Sequence, residues 1–473
     1  MAGSTSTHVE SVPDDIVTQP NGVKDSIAAK VLPPSFYRSR LSHAALRRRQ
    51  DGIRALLPLE SRPGVISLLA GKPNSETFPI TSMKFNIRDP VSPNDEVPIQ
   101  LTDEELHIGL QYTFTNGLPA LREWIIGLQE RLHGRHKGEG WNVTIGAGSQ
   151  DMIFKGVNAL LNPGDAVLVE TPVYAGTLTI LQNLDAEMIE VETDGHGVCS
   201  QSMREILQNW PSSKPKPKLF YTVPYGSNPT GSTATLERRL EVLALSREHD
   251  FFILEDDPYY NLYFGPTDRP PSYFALERNE PEIGRVLRFD SLSKIMSSGL
   301  RVGFASGPEP ILKVMDLHSM AVNLQGSSFS QMIALKVLST WGYDGFTAHA
   351  ARVADFYRAK RDVFEVAMQR HLAGLAEWVT PEAGMFFWFK ILLNEPGSGG
   401  VAGEAEGDSD YVIRTTALER GVLALPGAVF YPNPRKTAYV RASFSLLPEF
   451  QVDEALRRLR EVVIEARQAT KQL

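Results

Sequence analysis

Through the middle of the chain, short apolar runs alternate with longer amphipathic stretches. The runs at 143–145, 166–170, 219–223, 251–254 and 286–289 read as buried strands, and a further strand begins at 301–305. Between the first two, Met152, Ile153, Val157, Leu160 and Leu161 line one helical face, and Asn162-Pro163-Gly164 ends that helix. Residues 106–133 are helical in pattern, broken by TNGLP around Gly117, and 240–245 lie in another helix. Nearer the start, 65–69 reads as a short strand followed by a turn that carries Gly71 and Pro73. Towards the end come a long helix over 348–375, strands at 385–391 and 438–444, and a helix over 452–468. Strands that alternate with helices predict a mainly parallel sheet covered on both faces, an α/β fold. No internal repeat is present.

Three stretches break this pattern. Residues 1–35 are rich in Ser, Thr, Pro and Asp and predict a loose arm. Residues 37–54 are basic; they read either as a helix with its arginines in solvent or as an arm that reaches a ligand, and they are too few for a helix-turn-helix domain. Residues 394–410, NEPGSGGVAGEAEGDSD, form an acidic low-complexity loop. Its Gly397, Gly399 and Ala402 mimic a dinucleotide fingerprint but lack the flanking strand and helix, so that reading is rejected.

Composition narrows the function. The 473 residues are 42% hydrophobic and 22% charged, ordinary for a soluble globular protein. A net charge of −8 argues against a nucleic-acid partner bound through its phosphates. The single cysteine, Cys199, excludes a disulfide framework, fits a reducing compartment and reads as a small residue near a turn rather than a nucleophile. No run approaches the ~20 apolar residues of a membrane span. The first residues are polar and acidic, unlike a targeting leader, and the final KQL matches the Ser-Lys-Leu address poorly. The expected location is cytoplasmic, with no nucleic acid, no membrane and no metal.

Chemistry collects at the predicted strand ends, where α/β folds place their ligands. The run at 251–254 delivers Glu255, Asp256 and Asp257; the run at 286–289 delivers Asp290, Ser291, Ser293 and Lys294. An acid on one strand end and a lysine in a Ser-x-Ser-Lys setting on the next suit pyridoxal phosphate. That cofactor needs an amine for its Schiff base, an acid at its ring nitrogen and an anion cradle. By itself Lys294 would read as a solvated surface lysine. The turn Gly146-Ala147-Gly148-Ser149-Gln150 opens a helix and is either an anion site or a plain tight turn. Two more strand ends carry Tyr174 and the loop Ser227-Asn228-Pro229-Thr230-Gly231.

Taken in order, GSQ, Tyr174, SNPTG, EDDPYY, DSLSK and GLR give the chain a clear likeness. From about Arg54 onwards it resembles the fold-type-I pyridoxal-phosphate aminotransferases of class I/II. Among these it is most similar to the α-aminoadipate/kynurenine and aromatic amino acid aminotransferases, including the fungal aromatic kind. The resemblance implies a large domain with a mainly parallel central sheet, over 55–345, and a smaller α/β domain over 346–473 that carries the 394–410 insertion. Residues 1–54 would be an N-terminal arm, partly disordered. The implied reaction is ping-pong transfer of an amino group from an aromatic or 2-aminoadipate-like L-amino acid to a 2-oxo acid such as 2-oxoglutarate. By the same resemblance Lys294 holds the cofactor and moves the proton, and Asp256, three residues before Tyr259, pairs with the ring nitrogen. Tyr259 and Asn228 bond the ring's 3-oxygen, and Tyr174 stacks on the ring. Ser149, Gln150, Ser291, Ser293 and Arg301 take the phosphate. Tyr112 reaches the neighbouring subunit's phosphate, which implies a homodimer with shared sites. Arg441 clamps the substrate α-carboxylate, with Gly71, Asn228, Arg54 and Phe386 around the rest of the substrate. The family's turn after the first strand usually carries a second glycine and an apolar residue; here it is Ala70-Gly71-Lys72, with Lys72 facing either substrate or solvent. A β-lyase or decarboxylase on the same fold, and a non-enzymatic binding module, stay open as alternatives; a hydride-transferring dehydrogenase lacks a well-placed glycine fingerprint.

Overall fold

A computed structural model describes residues 30–56, 59–60, 62–69, 71–394 and 407–470. The arm expected before residue 30, the Gly397–Ala402 fingerprint mimic and the final KQL lie outside these.

The central sheet has eight strands: β1 (Trp141–Gly146), β2 (Ala166–Thr171), β3 (Glu187–Asp194), β4 (Gly197–Val198), β5 (Leu219–Thr222), β6 (Phe252–Asp256), β7 (Val286–Ser291) and β8 (Gly303–Pro308). Their order across the sheet is β1-β8-β7-β6-β5-β2-β3-β4. The run from β7 through β6, β5 and β2 to β3 is parallel throughout. β8 is antiparallel to both β7 and β1, and β4 folds back on β3. The sheet is therefore mainly parallel, with an inner strand reversed that the apolar pattern could not orient.

Both faces of the sheet are buried, which is why its strands read as continuous apolar runs rather than alternations. In β5 and β6, Phe220 and Ile253 point into one core, while Leu219, Tyr221, Phe252 and Leu254 point into the other. Helix Pro119–His133 covers the first face through Leu121, Ile125 and Leu128. Helix Ser149–Leu160 covers the second through Met152, Ile153, Val157 and Leu160.

A third core lies in the C-terminal part. Strands β9 (Ala376–Trp378), β10 (Phe386–Ile391), β11 (Leu425–Pro426) and β12 (Tyr439–Ser443) form a sheet in the order β9-β10-β12-β11. Val452, Leu456, Leu459 and Val463 of helix Glu449–Thr470 pack on it. The long helix Ser328–Leu372 joins the two parts and breaks at Gly342, whose φ of 64° is left-handed. We propose this break, close to residue 345, as the hinge between a large and a small domain.

Two segments differ from their sequence reading. Residues 65–69 form no strand: Ile66 is 92% and Leu68 99% exposed, so their apolar side chains find no face among the described residues. Residues 30–47 are docked rather than loose. Lys30 and Val31 pair with Glu282 and Ile283, and buried Tyr37 donates to the Gly284 carbonyl at 3.1 Å. The basic stretch forms two short helices, Pro34–Arg38 and His43–Arg47, instead of one. A hairpin of Lys84–Arg88 and Glu96–Gln100 was not anticipated, although both arms alternate.

Candidate active site

The site forms where the parallel strands end. Register brings its first half together. Ser291 at the end of β7 pairs with Gly303 at the start of β8, and Gly303 pairs with Gly146 at the end of β1. Because β8 runs backwards, Arg301 just before it falls at the same sheet edge as Ser291 and the Gly146 turn. Arg301 itself has a φ of 53°. Its Nη2 donates to the Ala147 carbonyl at 3.1 Å, and its Nη1 to Ser293 Oγ at 3.3 Å.

Helix Ser149–Leu160 opens beneath that guanidinium with no side-chain cap, so its first N–H groups point at the edge without an internal partner. Two glycines permit the approach. A Cβ on Gly148, whose φ is 97°, would lie 2.3 Å from Arg301 Nη2; one on Gly303 would lie 2.3 Å from the Ser149 nitrogen. Free N–H groups, a helix dipole and an arginine in one hollow make an anion cradle. Gln150 turns its side chain away and donates to the Gly176 carbonyl at 2.9 Å, which ties the cradle to the Tyr174 segment.

The second half gathers around Lys294, which ends the one-turn helix Leu292–Lys294. Burial lowers its amine pKa, as do the charges of Arg301 and Arg441, while Asp256 opposes them. Asp256 closes β6 and is 3% exposed. Its Oδ2 accepts from Tyr221 at 2.6 Å, and its buried Oδ1 has no partner among the described residues. Burial, with help from Asp290, pushes this carboxyl up to about 7 against the Tyr221 hydrogen bond. A buried acceptor without a donor is costly, and a ring N–H⁺ opposite it would supply one.

Asp257, next in sequence, also leaves a buried Oδ1 without a partner among the described residues, but its other oxygen takes a charge: Arg288 Nη1 donates to Oδ2 at 2.7 Å. Tyr259 is buried and meets Phe386 edge-on with centroids 6.3 Å apart. Arg441, from β12, donates through Nη1 to Asn228 Oδ1 at 2.7 Å and lies 4.2 Å over the Phe386 ring. Its Nε is buried without a partner among the described residues. Burial raises the Tyr174 pKa, and the nearby Asp256 charge raises it further.

Three expected residues stand elsewhere. Arg54 Nη1 donates to the Thr113 carbonyl at 3.2 Å and to Thr115 Oγ1 at 2.8 Å, and Nη2 reaches Gln325 at 3.4 Å. It shares a cleft of about 500 Å³ with Tyr112, which is 54% exposed. Gly71 stands open, with nothing within 4 Å of where a Cβ would be. Among the described residues none of these three bonds to Lys294, Asp256 or Arg441. Lys72 pairs with Glu60 at 3.0 Å and lines the same cleft as Arg54 and Tyr112.

The sequence reading missed three buried partners. Tyr221 supports Asp256, and Arg288 holds Asp257. Glu170, at the end of β2, accepts from the Val223 nitrogen at 2.7 Å and from Ser227 Oγ at 3.1 Å, which fixes the loop that carries Asn228. Polar residues inside otherwise apolar runs were the available signal. Among the described residues no helix is long and apolar enough to cross a membrane.

Comparison with known proteins gives one answer. Residues 96–459 match the family described as aminotransferase class I and II. Aminotransferase tdiD of Emericella nidulans is 43% identical over 413 residues, 87% of this chain and 92% of that one. The mitochondrial kynurenine/alpha-aminoadipate aminotransferase of Bos taurus is 37% identical over 448 residues, 91% of this chain and 99% of that one. The crystal structure of LysN, the alpha-aminoadipate aminotransferase of Thermus thermophilus, is complexed with N-(5'-phosphopyridoxyl)-L-leucine. It superposes with a TM-score of 0.67 at 26% identity, covering 91% of this chain and 98% of that one. The acid, the amine and the anion cradle at one sheet edge fit that class of cofactor, and the chain belongs to the class I and II aminotransferases and works with pyridoxal phosphate.

Proposed function

We propose that this chain transfers the amino group of an aromatic or 2-aminoadipate-like L-amino acid to a 2-oxo acid such as 2-oxoglutarate. When bound, the cofactor supplies an electron sink that makes the substrate Cα–H bond breakable. The residues supply the rest. Ser149, Gln150 through its backbone N–H, Ser291, Ser293 and Arg301 would hold the phosphate. Asp256, steadied by Tyr221, would keep a proton on the ring nitrogen, and Tyr174 would supply an aromatic contact to the ring. Asn228 and Tyr259 hold the 3-oxygen. Lys294 would be the attachment point and would carry the proton taken from Cα; burial lowers its amine pKa, which suits that work.

The substrate reading rests on Arg441. Its guanidinium lies 4.2 Å over Phe386 and its buried Nε lacks an acceptor. An α-carboxylate would satisfy that nitrogen and leave the side chain against an aromatic surface. The relatives named for kynurenine and aminoadipate fit the same reading.

The chain is further read as a homodimer with shared sites. Exposed Ile53, Leu56, Ile66, Leu68, Ile108 and Phe114 lie in the segments that carry Arg54, Gly71 and Tyr112, and water is a poor partner for them. Across such an interface Tyr112 meets the partner's phosphate, and Arg54 reads the distal group of the partner's substrate. A reducing compartment is part of the proposal, on the single cysteine, with the cytoplasm as its default.

The experiment compares amino donors on the parent and on Arg54→Ala. Activity with 2-aminoadipate and glutamate should fall about ten- to hundredfold in kcat/KM, the size of a lost charge-assisted pair, while phenylalanine and tyrosine change little. Equal losses for both classes would remove Arg54 from the substrate. Amine release without an oxo acid would favour a lyase over a transaminase.

A further inference from the structure

Helix Ser149–Leu160 carries a cation in its second turn, where the dipole does not favour one. Lys155 is 1% exposed, and its Nζ donates to Asp151 Oδ2 at 2.7 Å. The same oxygen accepts the Ala147 N–H at 3.0 Å. Ala147 is the residue whose carbonyl takes Arg301 Nη2 on the other side. One carboxylate therefore pins the cradle turn from within, and a Cβ on Gly146 would lie only 2.5 Å from Asp151 Oδ2. This places a formal negative charge directly behind a hollow built for an anion. Asp151 is part-buried, its side chain 21% exposed, so its charge opposes a phosphate dianion with less screening than at an open surface.

We propose that Lys155 is a positioning residue for the cofactor phosphate: it neutralises Asp151, so that the carboxylate pins the Ala147 turn without repelling the anion bound over it. The inference rests on the cradle reading given above. Other charged groups face the pair from the helix Glu309–Val322. Asp316 is pushed up to about 6 by burial, against Thr144, Arg122 and Lys155. His318 is held down at about 4 by burial and by Arg48 and Lys155, with Asp151 opposing. Asp316 is thus the competing partner for Lys155, and the test separates the two.

The full chain, freed of cofactor, is titrated with pyridoxal phosphate and with phosphate-free pyridoxal, followed by tryptophan fluorescence. Lys155→Met should raise the Kd for pyridoxal phosphate about tenfold and leave pyridoxal within about twofold. Adding Asp151→Asn should restore most of the loss, because the amide oxygen still accepts from Ala147 and no charge remains. The inference is overturned if pyridoxal weakens as much as pyridoxal phosphate, or if Asp316→Asn restores affinity and Asp151→Asn does not. Should Lys155→Met not fold, Asp151→Asn alone decides: an unneutralised Lys155 should tighten pyridoxal phosphate by about threefold, and a loss of affinity sinks the idea. A parent protein that binds both ligands equally would instead overturn the cradle itself.

Discussion

Asp256 and Asp257 are neighbours, both buried, and their surroundings divide their work. Each leaves one buried oxygen without a partner among the described residues; what differs is the other oxygen, which takes a neutral Tyr221 hydroxyl in Asp256 and a charged Arg288 in Asp257. Asp257 belongs to an ion cluster in which Arg288, fully buried, also holds Asp290 at 2.8 Å and approaches Glu255 at 3.4 Å. Such a cluster is structural, because removing one partner strands a buried charge. Asp256→Asn should therefore keep the fold and lower kcat about a hundredfold or more, since a neutral amide cannot stabilise a protonated ring nitrogen. Asp257→Asn should lower unfolding stability by about 3 kcal/mol and touch kcat less. Turnover and urea midpoints of both variants check this, and the opposite order of severity would reassign the acid. The choice of Asp256 came from likeness to a family motif. The reason for it, Tyr221 against Arg288, is long-range and invisible in the motif.

At the level of elements, the ends of β2 and β5 are joined by Glu170. It takes hydrogen bonds from Val223, Thr222 and Ser227, yet burial pushes its carboxyl up to about 7, and Asp256 adds to the rise. A raised carboxyl favours its protonated form in the folded state. Its contribution to stability is complete below the ordinary carboxylate range and is lost as pH rises through about 7. Glu170→Gln mimics the protonated form and removes that dependence. Between about pH 5 and about pH 8 the parent should lose roughly 2 kcal/mol more stability than the variant. Denaturation midpoints at the two pH values measure the difference; parallel losses would mean Glu170 is ionised throughout.

For the whole molecule, one chain completes the Lys294 cluster but leaves Arg54, Gly71 and Tyr112 on a face rich in exposed apolar side chains. If that face meets a second copy, each site is built from two chains. Tyr112→Ala and Lys294→Ala, each inactive alone, should then regain about a quarter of the parent activity when mixed and reassembled, since half the dimers carry one intact site. Full activity of a monomer by sedimentation would end the shared-site reading.

Local physics was legible in the sequence. Buried parallel strands must be apolar on both faces, so 166–170, 219–223, 251–254 and 286–289 announced themselves, and polar residues at their ends marked the site edge. Helix Ser149–Leu160 was readable from its stripe and its Asn162-Pro163-Gly164 stop. Pairing was not legible. The reversal of β8, which brings Arg301 to the cradle, depends on strand neighbours far away in sequence. An apolar run at 65–69 looks like a strand whether its partner is in the same chain or not. Tyr221, Glu170, Arg288 and Lys155 are polar residues whose purpose is a partner contributed by another element or hidden on a buried helix face. Periodicity records whether a position is buried; only the folded chain decides what lies opposite it.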